Sequence, residues 1–272
     1  MNFPQYISSA QNPKIKLLLS LEQKSSQRRE IGLFVVEGVR ELQHCLEGGF
    51  EIDSVFYCPS ILGKYEGGAD VFKSLPESVR LFELPEELYA KVAFREGTEG
   101  IIAEVKSKEL SLSALNLPEN PLIAVLERVE KPGNLGAVLR SADAAGVDAV
   151  IVCDPLTDMY NPNLIRASIG AVFTVPVANC SSEECIAFLK ERGIRILTAQ
   201  LQDSELYYDV DMRQGTAIVF GTESTGLTQQ WRDASDAHIR IPMQGKLDSL
   251  NVSVSAAVLL YEAVRQRNSD AA

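Results

Sequence analysis

The strongest constraint on this chain is a rhythm that begins at Leu122. Short runs rich in apolar residues at 122–126, 148–153, 194–198 and 217–220 read as strands, and 237–241 as a further one. Helical patterns lie among and after them, at 135–145, 163–173, from Ser181 to Arg192, and at 252–266. An apolar run of four to six residues flanked by helical periodicity fits a strand covered on both faces, the habit of parallel sheets. Local punctuation agrees. Gly146 follows the first helix as a left-handed cap, and Ser181 with Glu184 has the spacing of a capping box. The expectation is an α/β fold whose C-terminal part is a parallel sheet.

Residues 1–106 read as a smaller α/β domain. Asn12-Pro13 opens a helix with an apolar stripe of Ile15, Leu18, Leu19 and Leu21. Lys14, Lys16, Lys24, Arg28 and Arg29 form its basic face. Strands are expected at 32–36, 52–57, 79–82 and 101–105, and a second helix from Gly38 to Cys45. Residues 107–120 mix Ser, Asn and Pro and read as a linker, leaving 121–268 as the second domain.

Composition narrows the class. Of 272 residues, 46% are hydrophobic and 23% charged, ordinary globular values. No run approaches the ~18 apolar residues that span a bilayer, and the N-terminus lacks the apolar core of a signal peptide, so a cytoplasmic protein is expected. Cys45, Cys58, Cys153, Cys180 and Cys185 are odd in number and form no CxxC, which leaves little support for a zinc site or a redox dithiol; free buried thiols are expected. The two histidines, His44 and His238, stand apart, which disfavours histidine-based hydrolysis.

Three polar segments follow strands, where parallel sheets bind ligands. The first, 127–140, holds Gly133, Asn134, Gly136 and Arg140. Asn134 has the chemistry of a helix cap, and Arg140 that of either a snorkelling side chain or a bidentate phosphate clamp. The second, 220–228, has P-loop glycine spacing, but Leu227 replaces the phosphate-binding lysine, so a nucleoside triphosphatase is rejected. No G-x-G-x-x-G follows a strand either, which removes a dinucleotide enzyme. The third, 241–255, carries Ser249, Asn251, Ser253 and Ser255; helix capping accounts for one such residue, not four.

In this order the segments resemble the SpoU/TrmH family of RNA ribose 2′-O-methyltransferases, of the SPOUT class. The resemblance rests on Pro132-Gly133-Asn134-Leu135-Gly136 with Arg140-Ser141-Ala142, on Val219-Phe220-Gly221-Thr222-Glu223 with Gly226-Leu227, and on Ile241-Pro242-Met243 with residues 249–257. Residues 168–171 and 175–177 are similar to the family's intervening segment. Lys131 stands where many members carry an acid, with Glu130 beside it. The N-terminal part resembles the substrate-binding domain often fused to these enzymes. The resemblance implies a C-terminal trefoil knot and S-adenosylmethionine as cofactor, held by Gly221, Ile241, Met243 and Leu250. It implies catalytic or positioning roles for Asn134, Arg140, Glu223, Ser249 and Asn251, no metal, and a homodimer. The implied RNA contacts are Lys14, Lys16, Arg28, Arg29 and Arg140, and the added domain favours ribosomal over transfer RNA. A second reading is a non-catalytic RNA-binding or ribosome-assembly protein on the same scaffold.

The net charge of −11 sits awkwardly with a polyanionic partner, but it is uneven. Residues 1–40 hold six basic and three acidic side chains, net +3, so the remainder carries −14. Local rather than total charge governs contact with phosphates.

Overall fold

A computed structural model of the chain describes residues 4–65, 67–94, 97, 99–222 and 225–269. The chain divides into two compact units, Met1–Glu109 with Asp158–Thr174, and Leu110–Thr157 with Val175–Ala272. Among the described residues no helix is long and apolar enough to cross a membrane.

The first unit begins with β1 (Gln5–Tyr6), α1 (Pro13–Gln23), α2 (Ser25–Ile31), β2 (Leu33–Glu37), α3 (Val39–Glu47) and β3 (Ile52–Tyr57). It continues with α4 (Pro59–Leu62), β4 (Arg80–Glu83), α5 (Glu86–Val92) and β5 (Ile101–Lys106). Its sheet runs β1-β4-β3-β5-β2, with β5 antiparallel to both neighbours and the other pairs parallel. Asn12 caps α1 by accepting from the Lys14 amide, and Ile15, Leu18 and Leu21 pack on Phe56, Phe82 and Tyr89.

The second unit contains β6 (Leu122–Glu127), α6 (Pro132–Ala144) and β7 (Ala149–Cys153). The chain then contributes α7 (Pro162–Ser168) and α8 (Ala171–Thr174) to the first unit before returning. The rest is β8 (Val177–Cys180), α9 (Ser182–Glu191), β9 (Arg195–Ala199), β10 (Glu205–Leu206), β11 (Thr216–Phe220), α10 (Gln229–Ala234), β12 (Ala237–Arg240) and α11 (Val252–Ser269). Seven strands run β10-β12-β9-β11-β6-β7-β8, and every pairing is parallel. The apolar runs that dominate the sequence are its centre: β6, β7 and β11 are buried at every position. Trp231 of α10 is fully buried among Cys185, Leu189, Ile196 and Val219.

Three expectations need correction. Residues 163–173 do not form one helix. Ile169 and Gly170 take positive φ (55° and 83°), splitting α7 from α8, and a Cβ on Gly170 would lie 2.9 Å from His44 Cδ2. The break exists because the backbone there passes against α3, a tertiary demand that helical periodicity does not reveal. Residues 107–120 are not wholly a linker. Leu112, Leu115 and Leu117 pack on the second unit's core, and the Leu110 carbonyl accepts from the Asn179 amide at 2.7 Å. Finally, residues 158–174 pack with the first unit rather than the second. Tyr160 stacks on Phe34 (4.2 Å between centroids), Phe173 meets Phe50, and Asp158 binds Arg28. An aromatic cluster of this kind outweighs the segment's place in the chain.

Candidate active site

The first turn of α6 is set by the end of β6. Arg128 adopts the left-handed conformation (φ 53°) and its amide donates to the Cys153 carbonyl at 3.0 Å, turning the chain toward Pro132 at the helix start. Lys131 occupies the N-cap position without a side-chain cap bond, so Asn134 does not cap this helix. Its Oδ1 instead accepts from Asn251 Nδ2 at 3.2 Å. Asn251 in turn caps α11: its Oδ1 accepts from the Ser253 amide at 3.0 Å and from Ser253 Oγ at 2.6 Å. One asparagine therefore joins the openings of two helices 117 residues apart. The four small polar residues of the third segment separate by role. Asn251 is the cap, Ser253 supports it, Ser255 borders the cleft described next, and Ser249 donates to Asp248 Oδ1 while bordering the same cleft.

That cleft has a volume of about 350 Å³ and lies beyond the carboxyl ends of β9, β11 and β12. This is the edge where an open parallel sheet binds ligands, and the volume is that of a small-molecule site. Its walls are residues 200–202 after β9, Gly221, Thr222 and residues 225–227 after β11, and Ile241, Met243 and residues 248–250 after β12; Leu259 of α11 also lines it. Gly221 cannot be another residue here. A Cβ at that position would sit 2.4 Å from the Gly226 carbonyl carbon and 2.5 Å from the Leu227 nitrogen. The loop closes on itself through the Gly226 amide on the Thr222 carbonyl (3.0 Å) and the Thr222–Thr225 hydroxyl pair (2.8 Å). Backbone groups are thereby brought close enough to serve as the wall.

A buried bracket holds this loop from behind. Glu127, at the end of β6 and 1% exposed, accepts from the Thr228 amide (2.9 Å) and the Thr228 hydroxyl (2.6 Å). Ser182 Oγ lies 2.6 Å from Asp154 Oδ2 and accepts from Trp231 Nε1 at 3.0 Å. A carboxylate satisfied by two donors at a strand end is stable when buried and fixes whatever carries the donors. Sequence reading missed Glu127, Ser182 and the wall at 200–202. Only the position of Glu127, an acid ending an apolar strand, could have marked it.

Gly221, Ile241, Met243, Ser249 and Leu250 all border the cleft, and Asn134 and Asn251 meet beside it on α6 and α11. Arg140 lies exposed on α6 and is not among the cleft residues. Glu223 lies outside the described residues. In the first unit, Lys16 and Arg29 are exposed, and Lys14 Nζ sits 4.6 Å over the Phe82 ring. Arg28 is a correction. It is 3% exposed, its Nε donates to Asp158 at 2.6 Å, and its Nη1 donates to the Leu21 carbonyl at 2.5 Å. Its guanidinium is committed to the fold and is unavailable to RNA.

Comparison with known proteins now bears on this arrangement. Residues 121–261 match the profile of the SpoU rRNA methylase family, just over half of the chain. The chain belongs to that family. Residues 12–103 of this SpoU methylase also match the MRM3-like substrate binding domain. It is 28% identical over 255 residues to the 23S rRNA (guanosine(2553)-2′-O)-methyltransferase RlmP of Bacillus subtilis, covering 94% of this chain and 97% of that one. A solved RNA 2′-O ribose methyltransferase is 38% identical, with a TM-score of 0.83 over 97% of this chain and 99% of the other. The SpoU methyltransferase AviRb of Streptomyces viridochromogenes, solved in complex with the cofactor AdoMet, is 27% identical with a TM-score of 0.87, over 95% of this chain and 99% of that one. The cleft beyond β9, β11 and β12 thus lies in a chain built like a cofactor-bound methyltransferase.

Proposed function

We propose that this SpoU methylase transfers the methyl group of S-adenosylmethionine to a ribose 2′-hydroxyl of ribosomal RNA. The observation that carries this reading is the cleft. Its wall at Gly221 tolerates no side chain, and the four residues expected at the cofactor, Gly221, Ile241, Met243 and Leu250, all lie on it. The donor set fits such a ligand: backbone groups at three strand ends, apolar faces from Leu250 and Leu259, and hydroxyls from Ser249 and Ser255. S-adenosylmethionine supplies an activated methyl group when bound.

The chain's own residues then have to position the ribose and accommodate the proton that leaves its 2′-oxygen. Arg140 does not act as a base, because a guanidinium keeps its proton at pKa above ~12. Its exposure on α6 suits a different task, the bidentate holding of an RNA phosphate and stabilisation of negative charge on the ribose oxygen. The proton passes to that phosphate or to water. Asn134 and Asn251, joined by their side-chain hydrogen bond, hold the openings of α6 and α11 in register and so position Arg140. Ser249 and Glu223 complete the set by their place in the family motifs. Lys14, Lys16 and Arg29 give the first unit a basic surface for RNA.

Assembly and topology belong to the same reading. Leu247 is 78% exposed, Tyr261 50% and Val254 47%, apolar side chains that a second copy would cover. Dimer formation would let one copy's Arg140 serve a site shared with its partner. We further infer that the segment from β12 to α11 threads the family's trefoil knot, supported by α11 returning to pack on α6, β6 and β11. The protein works where ribosomal RNA is made, in the cytoplasm.

The test is methyl transfer from labelled S-adenosylmethionine to 23S RNA purified from a strain lacking this gene. Label recovered on one ribose supports the proposal. Failure of the protein to bind S-adenosylmethionine by calorimetry supports the scaffold alternative instead.

A further inference from the structure

Cys153, Cys180 and Cys185 play no part in the chemistry above, yet their sulfurs lie together. The three Sγ atoms are within 4.8 Å of one another, contributed by the ends of β7 and β8 and by the first turn of α9. Cys153 and Cys180 are direct partners across adjacent parallel strands, so their side chains share a face. Cys153 and Cys185 are fully buried, whereas Cys180 is partly exposed. Hydrogen bonds with Cys153 and then Cys185 lower the Cys180 thiol, against burial and the charges of Glu184 and Asp154, and the hydrogen bond with Cys180 raises the Cys153 thiol. One partly exposed sulfur with two buried sulfurs within reach is the arrangement of an oxidisable thiol with a resolving partner. Among the described residues no His, Asp or Glu joins the three thiols, so a four-ligand zinc site is not formed.

We propose that this cluster is a reversible oxidation site for hydroperoxides. The Cys180 thiolate attacks the peroxide; an S–O bond forms, the O–O bond breaks, and hydroxide or alkoxide leaves and takes up a proton. The neighbouring thiol, Cys153 or Cys185, then attacks the sulfenic acid; an S–S bond forms, the S–O bond breaks, and water leaves. Two thiols give up two electrons and the peroxide accepts them, so the balance closes without a further reagent.

The consequence reaches the cleft. A disulfide brings sulfurs to about 2.05 Å, so a strand end or the first turn of α9 must move. Cys153 is followed by Asp154, held in the left-handed conformation (φ 48°), whose carboxylate binds Ser182. Ser182 also receives the Trp231 indole, and Glu127 beside it holds Thr228, two residues past the cleft-wall residue Gly226. Oxidation therefore loosens the wall from behind. This second step rests on the cofactor reading given above; the first does not.

The full-length protein is titrated with hydrogen peroxide, alkylated, and mapped by mass spectrometry, with calorimetric binding of S-adenosylmethionine measured before and after. The expected result is a Cys180–Cys153 or Cys180–Cys185 link, reversed by dithiothreitol, with Cys45 and Cys58 still free. Cys180→Ser, checked for unchanged melting temperature, should form no link. Cofactor affinity should fall on the order of tenfold on oxidation and recover on reduction. Oxidation of Cys45 or Cys58 at the same rate as Cys180, over-oxidation of Cys180 without a link, or stoichiometric zinc on the thiols of the purified protein would overturn the proposal. A link that leaves cofactor affinity unchanged overturns the coupling. No cofactor binding even by reduced protein removes the methyltransferase reading while leaving the disulfide map decisive.

Discussion

At the scale of single residues, the account turns on what a guanidinium does that an ammonium does not. If Arg140 clamps a phosphate in bidentate fashion, Arg140→Lys keeps the charge but loses the fork. Turnover should fall by roughly 10²-fold with S-adenosylmethionine affinity unchanged, the magnitude of losing one aligned transition-state contact. Near-normal turnover in single-turnover assays would remove the clamp. A second residue gives the first unit its own pH signature. Burial, with the charge of Glu37 as the smaller cause, raises the Glu22 carboxyl from 4.5 to about 8. It lines a small cavity with Glu37, Glu41 and Arg166. The folded state therefore holds a proton that the unfolded state releases between pH 4.5 and 8, so stability falls as pH rises through that window. Glu22→Gln should flatten this dependence. The variant should be more stable than the parent at pH 8.5 and indistinguishable from it near pH 4, as read from denaturant unfolding at the two pH values.

At the scale of elements, buried polar brackets decide where segments go. Arg28 ties α2 to Asp158, and breaking a buried pair by removing one partner costs ~3–5 kcal/mol. Arg28→Ala should lower the unfolding free energy by that order, as read from denaturant unfolding. Arg29→Gln should leave stability alone and reduce the salt slope of RNA binding by about one. Equal effects of both on RNA binding, with no stability change, would restore the single basic face. Glu127→Ala strands two donors of Thr228 at ~1–3 kcal/mol each, and weaker cofactor binding should accompany the lost stability. These elements also mark how far the sequence could be read. The strands at 122–126 and 217–220 and the capping box at Ser181 were legible because period, burial and capping are local properties. Arg28 was misread because its spacing on a helix resembles that of Arg29, and only the packing of Asp158 distinguishes them. The break at Ile169-Gly170 and the Glu127 bracket depend on contacts more than 50 residues away, which no window contains.

At the scale of the whole molecule, the proposed function gives each of the two units its own task. The first leaves Lys16 and Arg29 exposed, where the proposed function places RNA, and the second presents an ordered cleft at the ends of three parallel strands. The motifs put Gly221 after β11 and Ile241, Met243, Ser249 and Leu250 after β12, where they border the cleft, because family spacing encodes strand ends. They gave no sign of residues 200–202, which reach the cleft only because β9 is neighbour to both β11 and β12. The same parallel sheet also brings Cys153 beside Cys180, so one architecture serves both the cleft and the thiol cluster. Methylation of one kind of ribose in ribosomal RNA is checked by mapping 2′-O-methylation across that RNA with and without the gene. Without the gene a single methylated site should vanish, returning with the intact protein and not with Arg140→Lys; a map that stays unchanged rules the methyltransferase reading out.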